Sequence, residues 1–218
     1  GLGNEAVTIA DTTISASLLN TLDANTTGVV NAATVTSLTG TFAEIYTIYI
    51  SNIAATISGL GNENIIATGA LTVAQFNALA ANTTGIVTAT ISNGDIATLK
   101  EITETGNALT LTVADSSVIA AALNTVKAAT TVNVTATAVT QITGTAADLA
   151  DVYGGGITGL GNETITVSGS ITSAQANTID AYTTGAVTAT ISTTAIADLD
   201  DLTGTGNAYT ITVATADV

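Results

Sequence analysis

A pentapeptide recurs: Gly59-Leu60-Gly61-Asn62-Glu63 returns as Gly159-Leu160-Gly161-Asn162-Glu163. From there to Val113 and Val213 the two stretches match at more than half of their positions without a gap. Gly3 to Leu60 aligns with Gly106 to Leu160 if the first copy carries a few extra residues around Tyr46-Thr47-Ile48-Tyr49-Ile50. Long-period self-similarity is a severe constraint, because each copy must bury its apolar face on a neighbouring copy. It predicts one continuous solenoid segment over 1–218, with a first long repeat at 3–105, a second at 106–205 and the start of a third at 206–218. The chain opens with Gly1, shows no basic region followed by an apolar one and ends in mid-pattern, so it is expected to be a window on a longer array.

A shorter period lies inside the long one. Val7-Thr8-Ile9, Val30-Asn31-Ala32, Ile65-Ile66-Ala67, Val87 to Ile91, Leu109 to Val113, Val132 to Ala136, Ile165-Thr166-Val167, Val187 to Ile191 and Tyr209 to Val213 read as strands, alternating and β-branched. They start about 22 or 23 residues apart, with one longer gap per long repeat. Between them the period turns helical. Ile119, Ala122, Leu123 and Val126 share one face, with Asp115 or Ser116 as a ready N-cap. Thr41 with Glu44, Thr72 with Gln75, Thr172 with Gln175 and Thr145 with Asp148 have capping-box spacing. Shorter stretches such as Ala195 to Leu202 close alternate coils with one or two helical turns. The predicted fold is an α/β solenoid of stacked strand–helix coils, with a single parallel sheet, helices on one face and a Thr-rich outer face.

Strand alternation turns the apolar residues inward and Thr88, Thr90, Thr110, Thr112, Thr135, Thr164, Thr166, Thr188, Thr190, Thr210 and Thr212 outward. At about 4.8 Å per strand such a strip would run roughly 40 Å. It is the candidate surface or assembly face. Asn31 and Ile66 interrupt it, and Thr's β propensity alone would make a solvated strand face Thr-rich.

What the chain lacks excludes most chemistry. Its two cations are Lys100 and Lys127, and it has no His, Arg, Cys, Met, Trp or Pro. There is no His-based acid/base pair, no His-activated nucleophile, no zinc site of nitrogen and sulfur ligands and no disulfide. A net charge of −15 repels phosphate backbones and anionic headgroups, so neither nucleic acid nor membrane is an expected partner. Mean hydropathy is positive at +0.53, yet no apolar run approaches the roughly 20 residues of a spanning helix. A soluble chain with no enzymatic activity is expected. A Thr nucleophile activated by Lys100 or Lys127 finds no support, because neither lysine recurs in the matching repeat position.

Asn20, Asn77, Asn124 and Asn177 recur at one register of the longer helices and read as an asparagine ladder satisfying backbone groups of neighbouring coils. No cofactor is implied. Calcium is the one candidate ion, at Asp198, Asp200 and Asp201 or at Asn62 with Glu63 and Asn162 with Glu163, but no EF-hand or calcium nonapeptide occurs. Gly-Leu-Gly-Asn precedes a strand rather than a helix and reads as a turn, not a dinucleotide site. Sequons at Asn25, Asn82, Asn133 and Asn162 are expected by chance in so Thr-rich a chain.

Leu18 to Ala32 (LLNTLDANTTGVVNA) and Ile142 to Leu149 (ITGTAADL) resemble the tandem arrays of giant secreted or cell-surface proteins of cyanobacteria and other aquatic bacteria. The resemblance covers the whole chain. It implies an extracellular or cell-surface location and a structural or adhesive role. The expectation is a structural segment of an extracellular fibre, sheath or filament whose partners are copies of itself, joined end to end and through the Thr face. The alternative is an adhesion module whose Thr ladder binds ice or a glycan.

Overall fold

The computed structural model describes residues 1–193 and 195–213 and is an α/β fold of parallel strands and, among these residues, seven α-helices. Of the expected third repeat at 206–218, residues 214–218 lie outside the described ones. The chain divides into two compact units.

The first unit comprises Gly1–Asn93, Glu101–Leu111 and Ala129–Val132. Its strands are β1 (Val7–Thr8), β2 (Thr13–Ser15), β3 (Val30–Asn31), β4 (Ser37–Gly40), β5 (Ile57–Ser58), β6 (Asn64–Leu71), β7 (Val87–Ile91) and β8 (Ala108–Thr110). Its helices are α1 (Ala16–Asn25), α2 (Phe42–Ile53) and α3 (Val73–Ala80). Strands β1-β3-β5 form one parallel sheet and β2-β4-β6-β7-β8 another. The core joins Leu19, Leu38, Ile45, Ile48, Ile65, Phe76 and Leu79, all fully buried. Each such side chain contributes roughly 1.5–3 kcal/mol relative to exposure.

The second unit comprises Gly94–Lys100, Thr112–Ala128 and the chain from Asn133 onward. It holds α4 (Ile96–Leu99), β9 (Ser117–Ile119), α5 (Ala120–Ala128), β10 (Val134–Thr135), β11 (Gln141–Gly144), α6 (Ala146–Tyr153), β12 (Ile157–Thr158), β13 (Thr164–Ile171), α7 (Ser173–Asp180), β14 (Val187–Thr193), a 3₁₀ turn at Ile196–Leu199 and β15 (Ala208–Val213). Its sheets are β10-β12 and β15-β14-β13-β11-β9, again parallel. Leu123, Val126, Ile142, Leu149, Ile165 and Val187 are buried.

Among the described residues the expected single sheet is instead four separate sheets. Most coils carry two strands with a turn between them, such as the one where Val35 N–H bonds Ala32 C=O. That turn breaks the ladder, so first strands pair in β1-β3-β5 and β10-β12 and second strands in β2-β4-β6 and β9-β11-β13, with β7 and β8 or β14 and β15 extending the second-strand sheets. The additional strands are two to four residues long, too short to show alternation. The expected longer coil also dissolves, because β5 and β12 fill the gap left by strand spacing and pair with β3 and β10. A register shift between Ile66 and Ala70, and another between Thr166 and Ser170, bulges β6 and β13 against β7 and β14.

Helix starts follow the sequence reading closely. Thr41, Thr72 and Thr172 each accept the backbone N–H of a Glu44, Gln75 or Gln175 that caps them in return. Bonds from the Thr41 N–H and hydroxyl hold Glu44's carboxyl below its usual range. Thr145 accepts the Asp148 N–H, but the shorter Asp148 carboxylate takes the Thr145 hydroxyl and not its N–H. Asp115 is a correction. It does not cap α5, because Ser117, Val118 and Ile119 pair with Gln141, Ile142 and Thr143 as strand. Its carboxylate instead accepts the Ile96 N–H at 2.7 Å, opening α4 of another coil. Ile119 is accordingly exposed, while Ala120, Leu123 and Val126 carry the buried face.

The extra residues of the first copy are one helical turn. Tyr49 and Tyr153 stand equally far from their caps Thr41 and Thr145, but α2 runs on through Ile50–Ile53 where α6 stops at Gly154. Both helices leave through a left-handed residue, Ala55 at φ 62° and Gly155 at φ 112°.

Candidate assembly face

On β7 the expected alternation holds: Val87, Ala89 and Ile91 are buried, Thr88 and Thr90 exposed. The predicted outward threonines are all exposed or half-buried. The ladder they form is broken into rows on different sheets. In the first unit Thr90 lies beside Thr110, but Thr88 lies between Ile66 and Ala108. In the second unit Thr166 lies beside Thr188, Thr190 beside Thr210 and Ser192 beside Thr212, while Thr188 meets Ala208 and Thr164 meets Gln141. Thr112 and Thr135 form a third row that ends on Thr158. The face is a set of short hydroxyl rows bounded by Ile, Ala and Gln.

More threonines bind coil to coil than the outer face suggested. Four Thr-Thr turns reach back to the preceding coil. The first hydroxyl of each donates to a backbone carbonyl: Thr26 to Glu5, Thr83 to Glu63 and Thr183 to Glu163, each at 2.6 Å, and Thr130 to Leu109 at 2.8 Å. The second, on Thr27, Thr84, Thr131 or Thr184, donates to Gly3, Gly61, Asn107 or Gly161. Gly28, Gly85 and Gly185 follow three of these turns because the backbone rides on the same carbonyl. A Cβ there would lie 2.2–2.3 Å from the Glu carbonyl oxygen. Where Leu109 replaces the Glu, Val132 replaces the Gly. The repeated Thr-Thr-Gly, always one coil after Asn-Glu, was the available signal.

The asparagine column has the predicted role. Asn20, Asn77, Asn124 and Asn177 donate their amides to the carbonyls of Glu44, Glu101, Asp148 and Asp201, each 24 residues ahead. Asn77 and Asn177 also accept the N–H of Thr103 and Thr203, because the short helical turn ahead of them releases a free backbone donor. Asn20 and Asn124 face a full helix, and their amide oxygens are buried without a partner.

The Asn-Glu turns hold what sequence reading missed. Glu63 and Glu163 are fully buried. Each carboxylate accepts the N–H groups of its own turn, Gly61 and Asn62 or Gly161 and Asn162. Each also accepts a phenol from the preceding helix, Tyr49 or Tyr153. Burial, reinforced by the adjacent carboxylate, pushes both phenols well above their usual range. The tyrosines lie 14 and 10 residues upstream, beyond any local motif, and only their common distance from the caps links them. Glu5 has no such tyrosine and is exposed.

These carboxylates are folded inward on N–H and O–H donors, so the turn reading of Gly-Leu-Gly-Asn stands and the calcium reading of Glu63 and Glu163 does not. Asp198 accepts the Thr193 hydroxyl, and among the described residues no group of acids is placed to hold a metal ion. Lys127 is bound at 2.7 Å to Asp151, while Lys100 is exposed. No described helix is long and apolar enough to cross a membrane. No family model, curated protein or solved structure matches the chain.

Proposed function

We propose that this chain is a structural repeat segment of an extracellular fibre, sheath or surface filament, a length of strand–helix solenoid that assembles with copies of itself end to end and laterally. The observation that carries this reading is the coil-to-coil wiring. The same asparagine amides and Thr-Thr clamps recur in each copy. Polar groups are thus spent on joining coils, as a stacked array requires. Membership of a giant bacterial surface array and an extracellular location belong to the same proposal. Electron microscopy of the purified chain, with antibody labelling of intact cells, tests it: the expected result is filaments with a repeating axial spacing and label on the outside.

The adhesion alternative draws on the side-by-side pairs Thr90–Thr110, Thr166–Thr188 and Thr190–Thr210. A dispersed monomer that shapes ice crystals or binds a glycan array would favour it and sink the first.

A further inference from the structure

We infer that one copy of this chain binds another by seating the outer face of α2 in the groove between α6 and α7. This rests on the assembly reading above and names its contact.

The two partners are the same helix in its two repeats. On α2 the outward residues are Phe42, Tyr46, Ile50 and Ile53, the last three 37%, 50% and 74% exposed. Their spacing of four, four and three residues makes one continuous apolar stripe. Phe42 and Tyr46 stack with ring centroids 5.3 Å apart. On α6 the residues at the same distance from the cap as Phe42 and Tyr46 are Ala146 and Ala150. There the missing rings leave a groove of about 260 Å³, floored by those alanines and Ile179 and walled by Tyr182, which stacks on Tyr153 at 4.6 Å. This is below the roughly 300–1,000 Å³ of small-molecule sites and suits protruding side chains.

Charge favours the same contact. Copies of a −15 chain repel wherever carboxylates meet, but neither stripe nor groove lining contains a charged residue. Every copy carries both a stripe and a groove, and the contact we infer is head to tail, one copy's stripe in the next copy's groove, which extends a filament.

The chain has no cysteine, so introduced pairs report unambiguously. Ile50→Cys chains are mixed with Ala150→Cys chains under mild oxidation. The expected product is the disulfide heterodimer, in excess of either homodimer, and its loss when Tyr46→Asp is added to the first chain. The double variant, Ile50→Cys with Ala150→Cys, is expected to give a ladder of multimers. Self-crosslinking of Ile50→Cys as the main product, or no crosslink at all, overturns the inference. Microscopy of the unaltered chain separates the two failures: filaments without this crosslink overturn only the contact, and absence of filaments overturns the assembly reading as well.

Discussion

Helices α2 and α6 begin alike and diverge outward. Both open on a Thr cap, both bury an aliphatic pair, Ile45 with Ile48 and Leu149 with Val152, and both pass a tyrosine to a buried glutamate. Outside, one carries Phe42, Tyr46 and an added turn, the other Ala146, Ala150 and three glycines. The interior is alike because in both helices the aliphatic pair is buried and the tyrosine bonds a glutamate beyond its own helix. The outer surface answers to nothing within its own copy and is free to specialise.

If that distinction is right, the largest effects come from the buried glutamates. Glu63→Ala or Glu163→Ala removes a buried carboxylate that accepts a phenol and two turn N–H groups and should cost about 2–4 kcal/mol in urea unfolding. Glu5→Ala, at an exposed turn, should change stability by less than about 0.5 kcal/mol. Equal losses would break the comparison. Gly85→Ala and Gly185→Ala drive a Cβ into backbone and should each cost about 1–3 kcal/mol or more.

The phenols give a pH signature. Tyr49 and Tyr153 keep their protons in the folded chain and lose them near pH 10 when unfolded, so the unfolded state binds fewer protons above that point. Their contribution is complete below pH 10 and declines as pH rises beyond it. Melting curves from pH 8 to 12 should fall on the alkaline side, and less steeply for Tyr49→Phe with Tyr153→Phe.

Smaller effects sharpen the contrast between coil types. Asn177→Ala loses bonds through both amide atoms and should cost about 1–2 kcal/mol, whereas Asn124→Ala also removes an unpartnered buried oxygen and should cost under about 1 kcal/mol. Ala55→Gly gives the exit of α2 the conformational freedom of Gly155. It should raise stability by up to about 1 kcal/mol, read as a higher melting temperature.

Much of this was legible because it is local. Caps lie three residues from their partners, and strand alternation such as Val87 to Ile91 shows within a few residues. The asparagine column was legible because repetition at one register implies a neighbour that also repeats. What escaped was decided across coils. Ser117–Ile119 is strand because Gln141–Thr143 lies beside it, and Asp115 accepts the N–H of Ile96, 19 residues upstream. Glu63 looks like a solvated turn acid until Tyr49 covers it. The single strip of threonines failed because a backbone turn divides most coils into two strands that belong to different sheets.

The 24-residue reach of the asparagine amides dictates how a gene for such a chain can change. Removing part of a coil strands a clamp opposite the wrong carbonyl. Removing a whole coil, or a whole long repeat, hands each amide an equivalent acceptor. Unequal recombination between similar DNA segments makes changes of the second kind, so length in this lineage is expected to vary in whole steps, with copy number as the trait exposed to selection.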